Sequence, residues 1–503
     1  MFNLPVILSI IPFLVFLILL LWVKTSLLKA SVVTVALFTL LAIFYWQILP
    51  APLLSSYIKG LFIAFDIFII IFGAIFFLSI LKDLEVIKNI SYYLEHFSKD
   101  YRVQIIILAW FFENFIEGTA GFGTPVVVVA PLLVGLGLPV IKALVVALLG
   151  NSTAVVFGAA GAPIRIGFAG LDISSVPYIS SLINCVGFIV PVFMLWIITS
   201  ARKNGKNEFF EGLSFAVWSG IAFVAPSVLA AAFLGQEFPS IIGSIIGLLL
   251  VVLSTKLKIF TPKSVLSLRG EEEIKKTMTA FKAFLPYGVL VLLLIIGKLI
   301  LGNASVNISL MVDHAFSLFN PGFAFIIAGL ITAFIWKSKK ENLSVSTIDA
   351  FKGTITPFLV IVSMSSFVQM MTNSGRNYSG LPAAITLIAK GFETNWLPFF
   401  APFISAFGAF ITGSATVSNI LFGNFFNAAS QMLGFSAAVM LSLGVVGAAA
   451  GNMIALADML AGEAVVGVKN REREILKGVF IPCATYLILV GIVGMIIVYW
   501  GNL

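Results

Sequence analysis

Residues 113–125 read Glu-Asn-Phe-Ile-Glu-Gly-Thr-Ala-Gly-Phe-Gly-Thr-Pro and lie between two strongly apolar runs. The stretch contains two carboxylates, two threonines, three glycines and a proline, in a place where a membrane span would otherwise continue. A carboxylate at the bilayer centre costs about 2.5 to 3.5 kcal/mol on insertion scales, and irregular backbone is tolerated there only where protein or a water-filled cavity covers it. The stretch is therefore predicted to form a binding site.

A second copy of this pattern follows later in the chain. Five positions recur 295 residues further on: Phe112, Phe115, Ile116, Gly118 and Ala120 correspond to Phe407, Phe410, Ile411, Gly413 and Ala415. A polar, glycine-interrupted segment at corresponding positions of two halves is the best sequence indication of a transporter's substrate site. The sequence thus predicts two related halves, each contributing one such segment.

The composition excludes a soluble globular protein. Hydrophobic residues make up 60% of the 503 residues, charged residues make up 10%, and the mean hydropathy is +1.11. These values predict an all-α polytopic membrane protein. The first apolar run starts at Leu4 without a basic n-region, which favours a first helix over a removed signal. The net charge of +8 lies in a few loops, where it indicates topology and no nucleic-acid partner.

Catalytic and metal chemistry is not expected from this chain. The two cysteines, Cys185 and Cys483, lie in separate apolar spans, and the two histidines, His96 and His314, lie far apart in or near connecting segments. A membrane-embedded enzyme would need a nucleophile with its base, or a cluster of metal ligands. We therefore expect no enzyme activity, no cofactor and no metal site.

Hydropathy and charge together predict the topology. Twelve crossings are expected near 4–23, 27–48, 59–81, 140–166, 177–199, 212–235, 240–255, 284–302, 322–336, 353–371, 435–466 and 478–500. Segments 103–137 and 396–430 are left as re-entrant hairpins. The positive-inside rule puts the loops with Lys337 and Arg471 in the cytoplasm and both termini outside. The two hairpins then enter from opposite membrane faces, which makes the halves inverted repeats of a protein in the cell membrane.

The predicted organisation has three parts. The first repeat covers 1–211, the connecting helices with a basic cytoplasmic loop cover 212–283, and the second repeat covers 284–503. Within the repeats, helices in 1–81 form a scaffold, and segments 103–199 and 396–466 form the transport elements.

Hairpin tips and broken helices expose helix N-termini and unpaired backbone N–H groups, both of which attract anions. A small carboxylate substrate suits this chemistry. The candidate contacts are Thr119, Gly121, Gly123 and Thr124 at the first tip, Ser414, Thr416, Ser418 and Asn419 at the second, and Asn151, Ser152 and Thr153 in the first broken helix. Alternatively, these small residues only permit close helix packing or bond to their own backbone.

Glu117 is the leading candidate for proton coupling. Desolvation at membrane depth disfavours the charged form of a carboxyl group, so that Glu117 can take up a proton together with the substrate. Glu113 lies four residues earlier on the same helical face and either shares that proton or only assists. Asp458 is a weaker candidate. Arg165 pairs with the substrate, pairs with one of these acids, or only anchors the helix at the interface.

The chain resembles the lactate permease family of proton-coupled transporters for L-lactate and related 2-hydroxy monocarboxylates such as glycolate. The resemblance rests on residues 117–125, on Gly135-Leu136-Gly137, and on Asn151, 157–159, 162–164, 411–414, Ser418-Asn419 and 451–454. It implies a member of the ion transporter superfamily with two inverted repeats and elevator-type alternating access, as a monomer or homodimer. A sodium-coupled carboxylate or other anion transporter of the same superfamily would share the hairpins, and it is the alternative.

Two positions depart from the family's pattern. Ala415 stands where such permeases usually have Asp, and Asn452 stands where they usually have Lys. An acid and a base are thus lost together. We expect the family's two residues to form a compensating pair, because losing both avoids leaving one buried charge without a partner.

Overall fold

The computed structural model describes residues 4–501, except 24, 96, 122, 201, 203, 269–276, 302–303, 310–311 and 392–393. The described part of the chain is almost entirely helical. In chain order the helices are α1 Leu4–Leu21, α2 Leu27–Phe44, α3 Pro50–Asp83, α4 Val86–Glu95, α5 Tyr101–Ile106, α6 Glu113–Thr119, α7 Thr124–Gly135, α8 Val140–Gly150, α9 Gly158–Arg165, α10 Val176–Ile183, α11 Val190–Thr199, α12 Gly205–Leu234, α13 Pro239–Lys256, α14 Ala280–Leu301, α15 Pro321–Ile335, α16 Lys340–Asn373, α17 Ala384–Gly391, α18 Leu397–Thr412, α19 Ala415–Leu433, α20 Ala437–Gly451, α21 Leu456–Val466 and α22 Glu472–Trp500.

Short irregular helical turns join several of these helices. A π-helical segment, Ile107–Phe112, lies between α5 and α6, and 3-10 turns occupy Thr153–Phe157, Asn184–Ile189 and Asn452–Ile454. π-helical segments are rare and are frequent at functional sites. This one leads directly into the polar stretch that begins at Glu113.

Ten helical stretches of the described chain are long and apolar enough to cross a membrane. They coincide with ten of the twelve predicted crossings, and α3 and α16 extend beyond the predicted bounds to 34 residues each. The other two predicted crossings fall on α1 and α15, whose apolar stretches are shorter. Helix α15 has only 15 residues, or about 22 Å at 1.5 Å per residue, against the ~30 Å of a hydrocarbon core. The protein is a multi-pass membrane protein.

The predicted breaks in the helices are present. The chain leaves helical geometry after α8, and Ala159 and Ala160 have φ angles of 42° and 53° inside α9. Residues other than glycine rarely adopt positive φ angles, so the surrounding packing must hold the backbone of Ala159 and Ala160 in this conformation. The second break follows α20, at Asn452. Both breaks leave backbone groups available in the protein interior.

Each predicted hairpin is a pair of consecutive helices that pack against each other, α6 with α7 and α18 with α19. The first pair turns through Gly121 and Gly123, with φ angles of 58° and 75°, and the second through Gly413, at 68°. Glycine reaches this left-handed region without the steric penalty of a Cβ atom. The glycine pattern therefore produces the two sharp reversals.

The helices pack in two groups. We call α2, α3, α14, α15 and α16 the scaffold group, in which α3 and α16 lie against each other along much of their length. We call α6 to α11 with α18 to α22 the hairpin group. Helices α12 and α13, which the sequence presents as connecting helices, pack against α11 and α6 of the hairpin group.

A small antiparallel sheet was not predicted. Strand β1, Ser305–Ser309, pairs with strand β2, Asp313–Ser317, between α14 and α15. The loop contains alternating apolar residues, a weak strand pattern that is hard to recognise in five residues. The sheet brings His314 to within 3.2 Å of Asp66 on α3, from its Nε2 to the carboxylate Oδ2.

A buried arginine fixes the start of the first hairpin segment. Arg102 is fully buried, and its Nη2 lies 2.7 Å from the Asp100 carboxylate Oδ2. Its Nη1 donates to the carbonyl of Glu208 at 2.9 Å, and its Nη2 also donates to the carbonyl of Ser264 at 2.8 Å. This network ties α5 to α12 and to the segment after α13.

Replacing Arg102 with Ala is expected to destabilise the protein by about 3 to 5 kcal/mol, because Asp100 then stays buried without its partner. Unfolding by denaturant in detergent micelles measures the change. Arg471→Ala is the matched control, since its pair with Glu474 is about half exposed on both sides and is worth about 0 to 1 kcal/mol. Equal loss of stability in the two variants would contradict the assignment.

Candidate functional site

A cavity of about 670 Å³ lies where the two helix groups face each other. Both hairpin turns and both broken helices line it from one side. Parts of α2, α3 and α16 line it from the other side. The lining residues are Ser26, Leu27, Leu28, Ile71, Glu117, Gly121, Gly123, Thr124, Val127, Val155, Gly158, Ala159, Ala162, Pro163, Thr356, Pro357, Val360, Ile361, Thr412, Gly413, Ser414, Ala415, Thr416, Val417, Asn452, Ala457, Asp458 and Ala461.

Two carboxyl groups face this cavity. Glu117 on α6 is 4% exposed and Asp458 on α21 is 5% exposed. Asp458 accepts a hydrogen bond of 3.0 Å at Oδ2 from Asn452 Nδ2, whereas Glu117 Oε2 has no hydrogen-bond partner among the described residues. The described lining contains no Lys, Arg or His. The described lining is therefore acidic and holds no base that could balance the two acids.

Glycines make room for these two acids. A Cβ atom at Gly158 would lie 2.1 Å from Glu117 Oε1, and one at Gly123 would lie 2.5 Å from Asp458 Oδ1. Both distances are shorter than any real carbon contact, so a larger residue would displace the carboxyl group or the backbone. Gly123 also brings the first hairpin turn directly against the second broken helix. The glycines thus place both carboxyl groups beside the turn.

The second hairpin turn presents a helix N-terminus to the cavity. Ser414 caps α19, and its hydroxyl oxygen accepts a hydrogen bond of 3.3 Å from the backbone N–H of Val417. Helix α7 begins at Thr124 on the opposite hairpin, with its hydroxyl donating to the Gly121 carbonyl at 2.7 Å. Helix N-termini carry partial positive charge and free N–H groups. The two turns therefore offer anion-binding backbone inside an otherwise acidic cavity.

Seven of the residues predicted from the sequence line this cavity. They are Glu117, Gly121, Gly123, Thr124, Ser414, Thr416 and Asp458. The other predicted residues are not among the described lining residues: Glu113, Thr119, Asn151, Ser152, Thr153, Arg165, Ser418 and Asn419.

Apart from Arg165, four of these other residues donate to backbone carbonyls, among them Ser152, whose hydroxyl donates to the Leu149 carbonyl at 2.6 Å. The Thr119 hydroxyl donates to the Phe115 carbonyl at 3.0 Å, and Ser418 Oγ donates to the Ser405 carbonyl at 2.7 Å. Asn419 Nδ2 donates to the Pro163 carbonyl at 3.0 Å, which joins α19 to the first broken helix. These contacts agree with the alternative that the small polar residues support helix packing. They stabilise the cavity wall on the side that faces away from the cavity.

Glu113 and Asn151 form a polar layer behind the cavity. Both are fully buried, and their side-chain oxygens lack hydrogen-bond partners among the described residues. A Cβ atom at Gly150 would lie 2.4 Å from Glu113 Oε2, so Glu113 packs against the end of α8. Buried polar atoms are normally satisfied, which marks this layer as a functional candidate.

Arg165 lies away from the cavity. Its Nη2 donates to the carbonyl of Phe319 at 2.8 Å, in the segment between β2 and α15. It contacts neither of the cavity acids in the described structure. Pairing with a cavity acid is thus not made here, whereas pairing with the substrate and anchoring of the helix stay predictions.

Sequence reasoning missed the contribution of α16 to the cavity. Thr356, Pro357, Val360 and Ile361 line it from the scaffold group. A proline inside a helix removes one backbone hydrogen bond, so a Thr-Pro pair within an apolar span is a usable signal for a polar feature at membrane depth. The dipeptide at 356–357 was the sequence feature that could have indicated this wall.

Sequence comparison provides the family. The family model described as L-lactate permease matches residues 5–308 and 298–501. The chain is similar to the L-lactate permease of Streptococcus iniae, with 30% identity over 65% of this chain and 69% of the relative. It is 26% identical to the L-lactate permease of Escherichia coli strain K12, over 92% and 90% of the two chains.

A third relative is named after a different substrate. The glycolate permease GlcA of Escherichia coli strain K12 is 25% identical over 80% of this chain and 79% of its own length. The family model covers nearly the whole sequence, including both hairpins and both broken helices. Such coverage indicates a transporter rather than an enzyme. The chain therefore belongs to the L-lactate permease family.

Proposed function

We propose that this protein carries L-lactate, or a related small 2-hydroxy monocarboxylate such as glycolate, across the cell membrane together with protons. The observation that carries the proposal is the cavity itself, which contains Glu117 and Asp458 but no described base. An anionic substrate would be repelled by two ionised carboxyl groups at this depth. A proton on one of them reduces that repulsion, so binding of the proton favours binding of the substrate.

The substrate carboxylate is expected to bind at the two hairpin turns. Backbone N–H groups at the starts of α7 and α19 provide donors and positive dipole ends. Gly121 and Gly123 let the backbone approach the ligand closely, and Thr124, Ser414 and Thr416 line the same space. A 2-hydroxyl group adds a second polar handle for such side chains. Small hydroxy monocarboxylates suit these backbone and hydroxyl donors.

Glu117 is assigned as the proton carrier, with Glu113 behind it as an assistant. Glu117 Oε2 faces no hydrogen-bond donor among the described residues, whereas Asp458 is already bonded to Asn452. An ionised carboxylate without donors is strongly unfavourable in a low-dielectric interior. One proton per monocarboxylate makes the bound pair neutral, which eases its passage across the membrane.

The movement is assigned to the hairpin group, which slides against the scaffold group as in an elevator. Support comes from the 295-residue recurrence of the hairpin pattern and from the separate packing of the two helix groups. The same reasoning supports twelve crossings, two re-entrant hairpins in inverted repeats, and both termini outside. Inverted repeats around a midplane site are common in secondary transporters.

The direct test is uptake of radiolabelled L-lactate into proteoliposomes with an alkaline interior, with sodium absent and the membrane voltage clamped. We expect uptake driven by the pH gradient and competition by unlabelled glycolate. Liposomes without protein report passive entry of the protonated acid, and acetate tests the need for a 2-hydroxyl group. Uptake that requires a sodium gradient, or no competition by either hydroxy acid, would contradict the proposal.

A further inference from the structure

A polar contact between the two helix groups is centred on Phe319, just before α15. The hairpin group supplies Arg165, whose Nη2 donates to the Phe319 carbonyl at 2.8 Å. The scaffold group supplies Lys298, whose Nζ lies 5.5 Å from the centre of the Phe319 ring. Lys298 also reaches across to Glu237 in the α12–α13 connection, 3.1 Å from both carboxylate oxygens. We call Arg165, Glu237, Lys298 and Phe319 the Phe319 cluster.

The Phe319 cluster is attached to α3, which also lines the cavity. Asn320, which follows Phe319, donates from Nδ2 to the backbone carbonyl of Asp66 at 3.0 Å. This bond places the cluster next to Asp66 along the length of α3. Ile71, five residues further along α3, lines the cavity, about 7.5 Å away along the helix axis. The cluster therefore joins the two helix groups beside the α3 wall of the cavity.

We propose that the Phe319 cluster is the closing contact of the transport cycle, which holds the hairpin group against the scaffold group beside the cavity. It is made in the present conformation and separates when the hairpin group moves along the scaffold group. Arg165 and Glu237 act as positioning residues, because they hold the hairpin group in place and do not touch the cavity. The inference rests on the proposed movement of the hairpin group and adds the contact that limits it.

The charges of the cluster permit such a separation. The hairpin group and its α12–α13 connection carry one cation and one anion, Arg165 and Glu237, and the scaffold carries Lys298 and Asp66. Gly161, one turn before Arg165, packs against Gln236, since a Cβ there would lie 2.6 Å from Gln236 Cγ. Arg165 and Glu237 therefore stay near each other when the groups part. Glu237 is 2% exposed, and this arrangement keeps its buried charge from losing every partner.

The Lys298–Glu237 pair makes the proposal testable with a zero-length crosslinker. A carbodiimide activates the Glu237 carboxyl group, the Lys298 amine attacks it, and an amide forms while the reagent leaves as a urea. Mass spectrometry should detect the peptide joined between residues 237 and 298. We expect the crosslinked fraction, once reconstituted, to be arrested in transport. Lys298→Gln abolishes this crosslink and controls for reaction elsewhere.

Arg165 provides the second readout, which does not depend on substrate. Arg165→Ala should lower the 237–298 crosslink yield several-fold, because the closed arrangement loses its charge-assisted hydrogen bond, and Arg165→Lys should restore part of it. The exposed Lys88–Glu85 pair, 2.9 Å apart, reports equal reagent activity in all variants.

Three results would overturn the proposal: no 237–298 crosslink in the parent, unimpaired transport by the crosslinked protein, or an unchanged yield in Arg165→Ala. A failure to transport lactate combined with an Arg165-dependent crosslink counts against the substrate alone. The closing contact stands in that case.

Discussion

Glu117→Gln is expected to abolish proton-driven accumulation of L-lactate while lactate exchange across the membrane continues. Glutamine keeps the size and the neutral hydrogen-bonding character of a protonated glutamate, but it cannot release a proton. With one coupled proton, each unit of pH gradient is worth about 1.4 kcal/mol, or about tenfold accumulation. The parent should approach that ratio, and the variant should stay at about onefold because its coupling free energy is zero.

Gradient-driven accumulation and lactate exchange can be measured in one preparation of proteoliposomes. Exchange of internal unlabelled lactate for external labelled lactate needs no gradient. Glu463→Gln is the matched control: Glu463 is 2% exposed on the same helix as Asp458, but it accepts a bond from the Arg471 backbone N–H and does not line the cavity. It should accumulate lactate like the parent. Retained gradient-driven accumulation in Glu117→Gln would remove Glu117 from the coupling role.

Ala415→Asp alone is expected to impair the protein strongly, and Ala415→Asp with Asn452→Lys is expected to recover much of the loss. Both positions line the same cavity, where Glu117 and Asp458 already place two acids. A third carboxyl group without a partner costs about 3 to 5 kcal/mol if it stays ionised and buried. A lysine at 452 supplies the missing cation in the same cavity.

Thermal stability in detergent and lactate exchange in proteoliposomes follow the two single variants and the double variant as a cycle. Ala415→Asn controls for side-chain size, because it adds the same shape without the charge. The idea of a compensating pair fails if the single aspartate variant and the double variant behave alike. It also fails if Ala415→Asn is as damaging as Ala415→Asp.

The polar stretch at 113–125 was sufficient to predict which segment lines the cavity. Carboxylates and glycines at membrane depth require cover, and that requirement holds wherever the neighbouring helices lie. The turns at Gly121 and Gly413, the breaks near Asn151 and Asn452, and the cavity positions of Glu117 and Ser414 follow the predicted pattern. The physical cause in each case is local, because it depends on backbone freedom and hydropathy.

The sequence could not predict in the same way which side chains point into the cavity. Ser418 and Asn419 come only two and three residues after Thr416, yet their side chains bond to the backbones of Ser405 and Pro163. Rotation of a helix about its axis decides which of its residues meet the cavity, and contacts with distant helices set that rotation. A list of polar residues near a turn therefore contains both ligand candidates and packing residues.

The membrane class, the helical content, the two glycine turns and the acid beside the first turn follow from the sequence alone. The packing of the helices brings Asp458 against Gly123, adds α16 to the cavity wall, and lets Arg165 bind the Phe319 carbonyl outside the cavity. Hydropathy and backbone conformation are properties of short segments. The meeting of side chains that are hundreds of residues apart depends on how the whole set of helices packs.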